Sequence, residues 1–284
     1  MWLQRLFSFL LHTHIFIGLC AMSLVWGSLS YLGHNPKTPL MLFALCGTLW
    51  VYNLHRTVGA FLMEPNDWPA RFRHFYRWRI INFLLSVVTL ILSCYLLWFH
   101  LWGIRIYLIF PVIVSMAYVA PLGKGKLIRN VPFLKIFLIS LTWTWVSILL
   151  PYALAGDDQF SSTMILLSMI ERFLFIFAIT IPFDIRDVEQ DTRESLDTLV
   201  KVFGPSRARY LALLIILVGI IIGSLTWHFE LWSLNFWIVH LILSAYAAIW
   251  IYYSGRDKSD TFYSWGLDGS MMILGLSEGL ITLL

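Results

Sequence analysis

The sequence predicts an all-α membrane protein, a polytopic bundle of about nine transmembrane helices around a central cavity, in a single domain over residues 1–284. Composition is the first ground for this. Of the 284 residues, 59% are hydrophobic and only 13% charged. A soluble domain of this length cannot hide so much apolar surface, so lipid must be the solvent for much of it. The apolar residues also fall in runs of roughly 20, the length that crosses a bilayer as a helix. Finally, many of the 14 Trp, 12 Tyr and 21 Phe lie near the ends of those runs, where amphipathic rings suit the headgroup region. The net charge of +4 reflects basic loops at a membrane surface, and nucleic acid is not an expected partner. Cys20, Cys46 and Cys94 lie inside apolar runs and read as buried small hydrophobes with no disulfide signal.

The expected spans are 6–32, 39–63, 80–99, 104–120, 132–155, 163–183, 207–228, 232–253 and 265–284. The first begins after Arg5 and runs through His12 and His14, too long for a signal-peptide core. The fourth is short, and Asp268 and Glu278 interrupt the ninth. Backbone groups in lipid must be satisfied within their own segment, so runs of this length are helices.

Positive charge sets the orientation. With the N-terminus inside, the inner loops hold 15 of the 20 Lys and Arg residues, and the outer loops hold only Lys37 and Arg105. A multi-pass protein with a cytoplasmic N-terminus and an outer C-terminus is expected, in the cell inner membrane. The two longest loops, 64–79 and 184–206, are then both cytoplasmic, which marks that face as the working one.

The sixth span ends in Asp184, Ile185, Arg186, Asp187, Val188, Glu189, Gln190 and Asp191. On a continuing helix, Asp184, Asp187 and Asp191 fall at i, i+3 and i+7, on one face. Clustered carboxylates repel unless a cation joins them, and hard oxygen ligands suit Mg2+ bridging to phosphate oxygens. The other reading is a solvated acidic helix end. Placement at the end of a span in a many-helix membrane protein favours the metal.

This stretch, followed by Thr198, Leu199, Phe203 and Gly204, resembles the second aspartate motif of the UbiA superfamily of intramembrane prenyltransferases and its trailing "K-T-L-x-x-x-x-G" segment. Tyr118, Pro121, Lys124, Arg129 and Asn130 resemble the family's "Y-x-P-x-x-K-R…N" loop. The resemblance implies a helical bundle with a cavity open sideways to lipid. It also implies a prenyl diphosphate bound through Mg2+, and transfer of the prenyl group to a lipophilic, often aromatic, acceptor. Asp184, Asp187 and Asp191 would be the catalytic and metal-binding residues, and Asn53, Arg56, Lys124, Arg129 and Lys135 the diphosphate-binding ones. Tyr118 and Asp268 would line the cavity.

The chain departs from the family at the first motif, "N-D-x-x-D-x-x-x-D" on the second helix. Asn53 is present, but Leu54, Thr57 and Phe61 occupy the aspartate positions. One Mg2+ site is therefore expected in place of the usual pair. Asn53 and Arg56 share a helix face there. Arg56 either neutralises diphosphate directly, since a guanidinium recognises phosphate bidentately, or pairs with Asp184 or Asp187 and seals a dead site.

Among other polar groups in the spans, Lys135 either reaches the headgroups or touches diphosphate. Glu171 and Arg172 point to different faces and are expected to pair with other helices. His12, His14 and His240 read as hydrogen-bonded packing residues, and no role is evident for Glu278. Trp143, Trp145, Phe173, Phe175 and Phe177 read as lipid-facing or core residues rather than as a cage for an allyl cation. The expected function is prenyl transfer. The alternative is a non-catalytic UbiA-like protein that binds a lipid or quinone-like ligand or partners another membrane enzyme.

Overall fold

A computed structural model describes residues 2–33, 39–61, 75–119, 133–156, 161–193, 198–229 and 231–282, and among these it contains no strand. Helix α1 spans Trp2–His12, α2 Ile15–Tyr31, α3 Pro39–Phe61, α4 Arg79–His100 and α5 Arg105–Val119. Helix α6 runs over Leu134–Ala155, α7 over Ser162–Arg193, and the short α8 over Leu199–Phe203. Helices α9 (Pro205–His228) and α10 (Leu234–Tyr252) precede the last rod, α11. That rod is built from Asp260–Tyr263, a π-helical turn at Ser264–Asp268, and Gly269–Ile281.

Five of these helices, α4, α6, α7, α9 and α10, are long and apolar enough to cross a membrane, or six if α1 and α2 form one bent span. The expected count of nine is not reached among the described residues. Tyr52, Asn53, His55 and Arg56 make the last third of α3 polar, α5 has only 15 residues, and α11 carries Asp260, Asp268 and Glu278. The outward side of α4 shows why lipid is required. Ile80, Phe83 and Ile91 are each more than 60% exposed there, as is tolerable only in hydrocarbon. Cys94 lies on this helix and is exposed, unlike the buried Cys20 and Cys46.

The expected continuous first span is broken. Thr13 turns its hydroxyl back onto the Phe9 carbonyl at 2.7 Å, and His14 adopts a left-handed backbone, φ 62°. The two segments meet at 71°. Helix α1 therefore lies across the end of the bundle, held by Phe7 against Trp265 and Phe9 against Trp78.

The bundle is tightest where α2 meets α11. A Cβ on Gly275 would lie 2.2 Å from the Ser23 backbone, and one on Gly27 would lie 2.7 Å from the Gly275 carbonyl. Small residues at this spacing let two backbones approach as they do in membrane helix pairs. Helix α7 packs mainly on α9 and α6. Its buried row of Ile176, Ile179, Ile181 and Ile185 joins Leu24, Leu243, Tyr263 and Leu274 in the main core.

Charged groups are buried in this interior. Arg172 on α7 donates to Glu278 on α11 at 2.6 Å, and Glu171 lies 3.2 Å from His240 Nδ1 on α10. The two neighbours thus face other helices, as expected, but also approach each other at 4.0 Å, and Glu278 has Arg172 as its partner. His240 is a buried polar residue beside Glu171 and against the Trp232 ring. Each of the four is less than 5% exposed. Removing one member of such a pair strands the other in a low-dielectric interior, at a cost of about 3–5 kcal/mol, whereas removing both is far cheaper. Arg172→Met should therefore lower the melting temperature of the purified protein strongly. Adding Glu278→Met should restore much of the loss; additive losses in that double variant would refute the pairing.

Candidate active site

One end of the bundle encloses a cavity of about 420 Å³, within the range of small-molecule sites. Helices α1, α2, α3, α5, α6, α7 and α11 all contribute to its lining. Three local irregularities shape it. The α1–α2 break turns His12 and His14 inward. Pro182 lies inside α7 one turn before the aspartates and cannot donate to the carbonyl four residues back. The π turn of α11 brings Ser264 and Asp268 to the lining, and π-bulges are common at functional sites. Gly266 in that turn is required by close approach, since a Cβ would lie 2.2 Å from the Trp250 ring.

The α7 wall is acidic. Asp184, Asp187 and Asp191 all line the cavity, joined by Asp260 and Asp268 from α11. The i, i+3, i+7 pattern thus brings the three motif aspartates to one cavity. Two of them are bonded to cations of the protein itself. Lys135, at the start of α6, donates to Asp184 Oδ1 at 2.7 Å, and the carboxylate is only 2% exposed. Arg186 grips Asp187 with both prongs, Nε to Oδ1 at 2.8 Å and Nη2 to Oδ2 at 3.1 Å. Its remaining nitrogen donates to Asp260 at 3.2 Å, and the guanidinium lies over the rings of Phe183 and Tyr263. Among the described residues, no group of three His, Cys, Asp or Glu side chains is arranged to hold a metal ion. The donor chemistry suits Mg2+, but Asp187 can offer both oxygens only after Arg186 lets go, and Asp184 its Oδ1 only after Lys135 does.

The α1–α3 wall is basic, carrying Arg56 with His12, His14 and His55. His14 and His12 therefore line the cavity as well as making the hydrogen bonds expected of them. Asn53 does not line the cavity. It is 1% exposed, and its amide oxygen accepts from His14 Nδ1 at 2.9 Å, so it positions an imidazole instead of meeting diphosphate. The His14 ring also rests against Tyr52 and Phe75. His55 donates through Nε2 to the Ser115 carbonyl at 2.8 Å, which ties α3 to α5. Trp143 on α6 lines the cavity, whereas Trp145 faces away and donates to the Tyr107 carbonyl. Phe173 and Phe177 stack with each other.

Lys124 and Arg129 lie outside the described residues, as does the side chain of Tyr118. Thr198 N-caps α8 by accepting from the Lys201 backbone N–H, which gives the Thr198–Leu199 pair a structural purpose. Gly204, at φ 80°, then separates α8 from α9, and Pro205 opens α9. Sequence reasoning missed Arg186, Asp260 and His14 as site residues. Only the polar Thr13–His14 pair inside an apolar run hinted at the break.

Residues 82–267 match the UbiA prenyltransferase family. The matched stretch excludes α3, where the first motif is lost. No curated protein matches the chain in sequence. Solved structures match over nearly the whole fold. A UbiA homolog from Archaeoglobus fulgidus bound to GPP and Mg2+ is 12% identical, over 97% of this chain and 99% of that one, with a TM-score of 0.69. A structure reported for digeranylgeranylglyceryl phosphate synthase in membranes is 16% identical over 99% of both chains, with a TM-score of 0.59. The apo UbiA homolog from Aeropyrum pernix K1 is 14% identical over 95% of this chain and 98% of that one, with a TM-score of 0.56. At these identities the likeness speaks for the fold, and together with the family match it means that this chain is an integral membrane protein of the UbiA prenyltransferase family.

Proposed function

We propose that the protein is a membrane prenyltransferase that moves an isoprenyl group from a prenyl diphosphate to a lipophilic acceptor. One observation carries the reading: a single cavity in the family's fold joins the second-motif aspartates, a basic wall on α3, and apolar depth formed by Phe16, Ile17, Trp143 and Met271. The diphosphate belongs between the two walls and the prenyl tail in the apolar part. Arg56 and Lys135 would meet the phosphates, with Lys124 and Arg129 assigned there by resemblance. Fission of the bond between the prenyl carbon and the diphosphate oxygen leaves an allyl cation, which the acceptor attacks.

A single Mg2+ fits the charge. Five aspartates face the described cavity against three permanent cations, Arg56, Lys135 and Arg186, so before the diphosphate enters one divalent ion matches the formal excess. Asp184, Asp187 and Asp191 would hold it, and when bound it would stabilise negative charge on the departing diphosphate. The working face is proposed to be cytoplasmic, with the N-terminus inside.

The reading is tested on protein in detergent or nanodiscs with geranyl, farnesyl or geranylgeranyl diphosphate and Mg2+. Release of inorganic diphosphate and a ligand-induced rise in melting temperature are expected. Neither effect with any of the three would favour the non-catalytic reading. Arg56→Ala should weaken prenyl diphosphate binding by roughly 1.5–3 kcal/mol, the scale of a charge-assisted hydrogen bond, with the fold retained; unchanged affinity would remove Arg56 from the site. Reporter fusions after Gly123 and Gly255 should read inside and those after Gly33 and Gly156 outside. The reverse pattern would place the cavity on the other side of the membrane.

A further inference from the structure

We propose that Lys135 and Arg186 are diphosphate ligands held in reserve on the metal-binding carboxylates, so that a divalent cation and a prenyl diphosphate enter this site only together. The inference rests on the prenyltransferase reading, and it adds Arg186 to the substrate-binding residues.

Both cations line the cavity, and each competes with a metal for its carboxylate. Lys135 Nζ is 2.7 Å from Asp184 Oδ1 and so takes one of the two oxygens of Asp184. Arg186 covers both oxygens of Asp187 and bridges to Asp260 on α11. A metal ion arriving alone must displace an ammonium or a guanidinium and then face it as a like charge. A diphosphate arriving alone draws the same two cations away. It then leaves Asp184, 2% exposed, without its partner beside a new anion, in a cavity whose described aspartates already outnumber its permanent cations.

When the two arrive together, every charge finds a new partner. The carboxylates pass to the metal, and the ammonium and guanidinium pass to phosphate oxygens, for which a planar guanidinium fork is well matched. Lys135 carries its charge on a flexible four-carbon stem and is 21% exposed, so it can turn between the two anions. Arg186 holds its guanidinium carbon 5.1 and 5.2 Å from the Phe183 and Tyr263 ring centres, contacts that can persist while its hydrogen bonds change. Linkage requires the effect to be reciprocal: each ligand tightens the other by the same factor.

The test measures Mn2+ binding by electron paramagnetic resonance on the full-length protein, with and without geranyl diphosphate. Wild type should bind Mn2+ at least roughly tenfold more tightly with geranyl diphosphate present. Lys135→Met and Arg186→Met should each bind Mn2+ alone about tenfold more tightly than wild type, because nothing need be displaced, and should lose most of the enhancement by geranyl diphosphate. Two variants are used so that one folded protein suffices, and Lys258→Met, a cation paired with Asp257 outside the cavity, should behave as wild type. Equal Mn2+ affinity with and without geranyl diphosphate in wild type would overturn the reserve role and leave the prenyltransferase reading intact. Coupling that persists unchanged in both variants would also overturn it, since the coupling would then arise from complexation in solution. A wild type that binds neither probe under any condition would overturn the prenyltransferase reading, and this inference with it.

Discussion

A charge inside a lipid-embedded bundle must have a partner, because isolated ions cost several kcal/mol in a low-dielectric interior. The packing of this protein is arranged around that requirement at two levels. Roughly 18 Å separates Arg172 from Asp184 along α7, and each lies at the centre of its own ionic group. The deeper group joins α7 to α10 and α11 through Arg172, Glu278, Glu171 and His240. The group at the cavity joins α7 to α6 and α11 through Lys135, Asp184, Arg186, Asp187 and Asp260. The chemical difference lies in access. The deeper group is almost wholly excluded from solvent, whereas the cavity group opens into a space large enough for a ligand.

The regular helices supply the frame, and three of the irregular points lie at the site, whereas a π turn at Trp145–Leu149 of α6 and Pro111 in α5 lie away from it. The left-handed residue at His14, the proline inside α7 and the π turn in α11 each interrupt a hydrogen-bond ladder beside the same cavity. Elsewhere close packing dominates, as between α2 and α11, where glycine and serine bring the backbones together. An irregular ladder in a membrane protein is tolerable where the freed groups meet protein or a polar cavity. The three breaks at the cavity meet that condition through its polar lining.

Local patterns in the sequence were enough to read the helical class, the lipid-facing surfaces and the shared face of Asp184, Asp187 and Asp191. Hydropathy and helical spacing express those features directly. Glu171 and Arg172 could likewise be read as partners of other helices, because adjacent residues on a helix point to different faces. The identity of those partners was not legible. Glu278 lies 106 positions from Arg172, and Asn53 lies 39 positions from His14, so each pairing is a product of tertiary packing. For the same reason the motif alone did not show that Asn53 is buried against the His14 ring. Arg186 was hidden in plain sight between two aspartates: its position in the motif says nothing about which carboxylate its guanidinium will hold.

The hydrogen bond between His14 and Asn53 has a consequence for what the cavity can accept. An amide oxygen only accepts, so the hydrogen in that bond belongs to Nδ1 of the imidazole. The neutral ring then carries its lone pair on Nε2, the nitrogen left without a hydrogen bond among the described residues. Beside Arg56 and the other basic groups of that wall, this nitrogen is an acceptor. A hydroxyl entering the cavity can donate to it directly, whereas an anion can use it only after the ring has gained a second proton. The two neighbouring positions on one wall therefore sort polar ligands by the sign of their hydrogen-bonding capacity: the guanidinium takes oxygens that bear charge, and the imidazole takes oxygens that bear hydrogen.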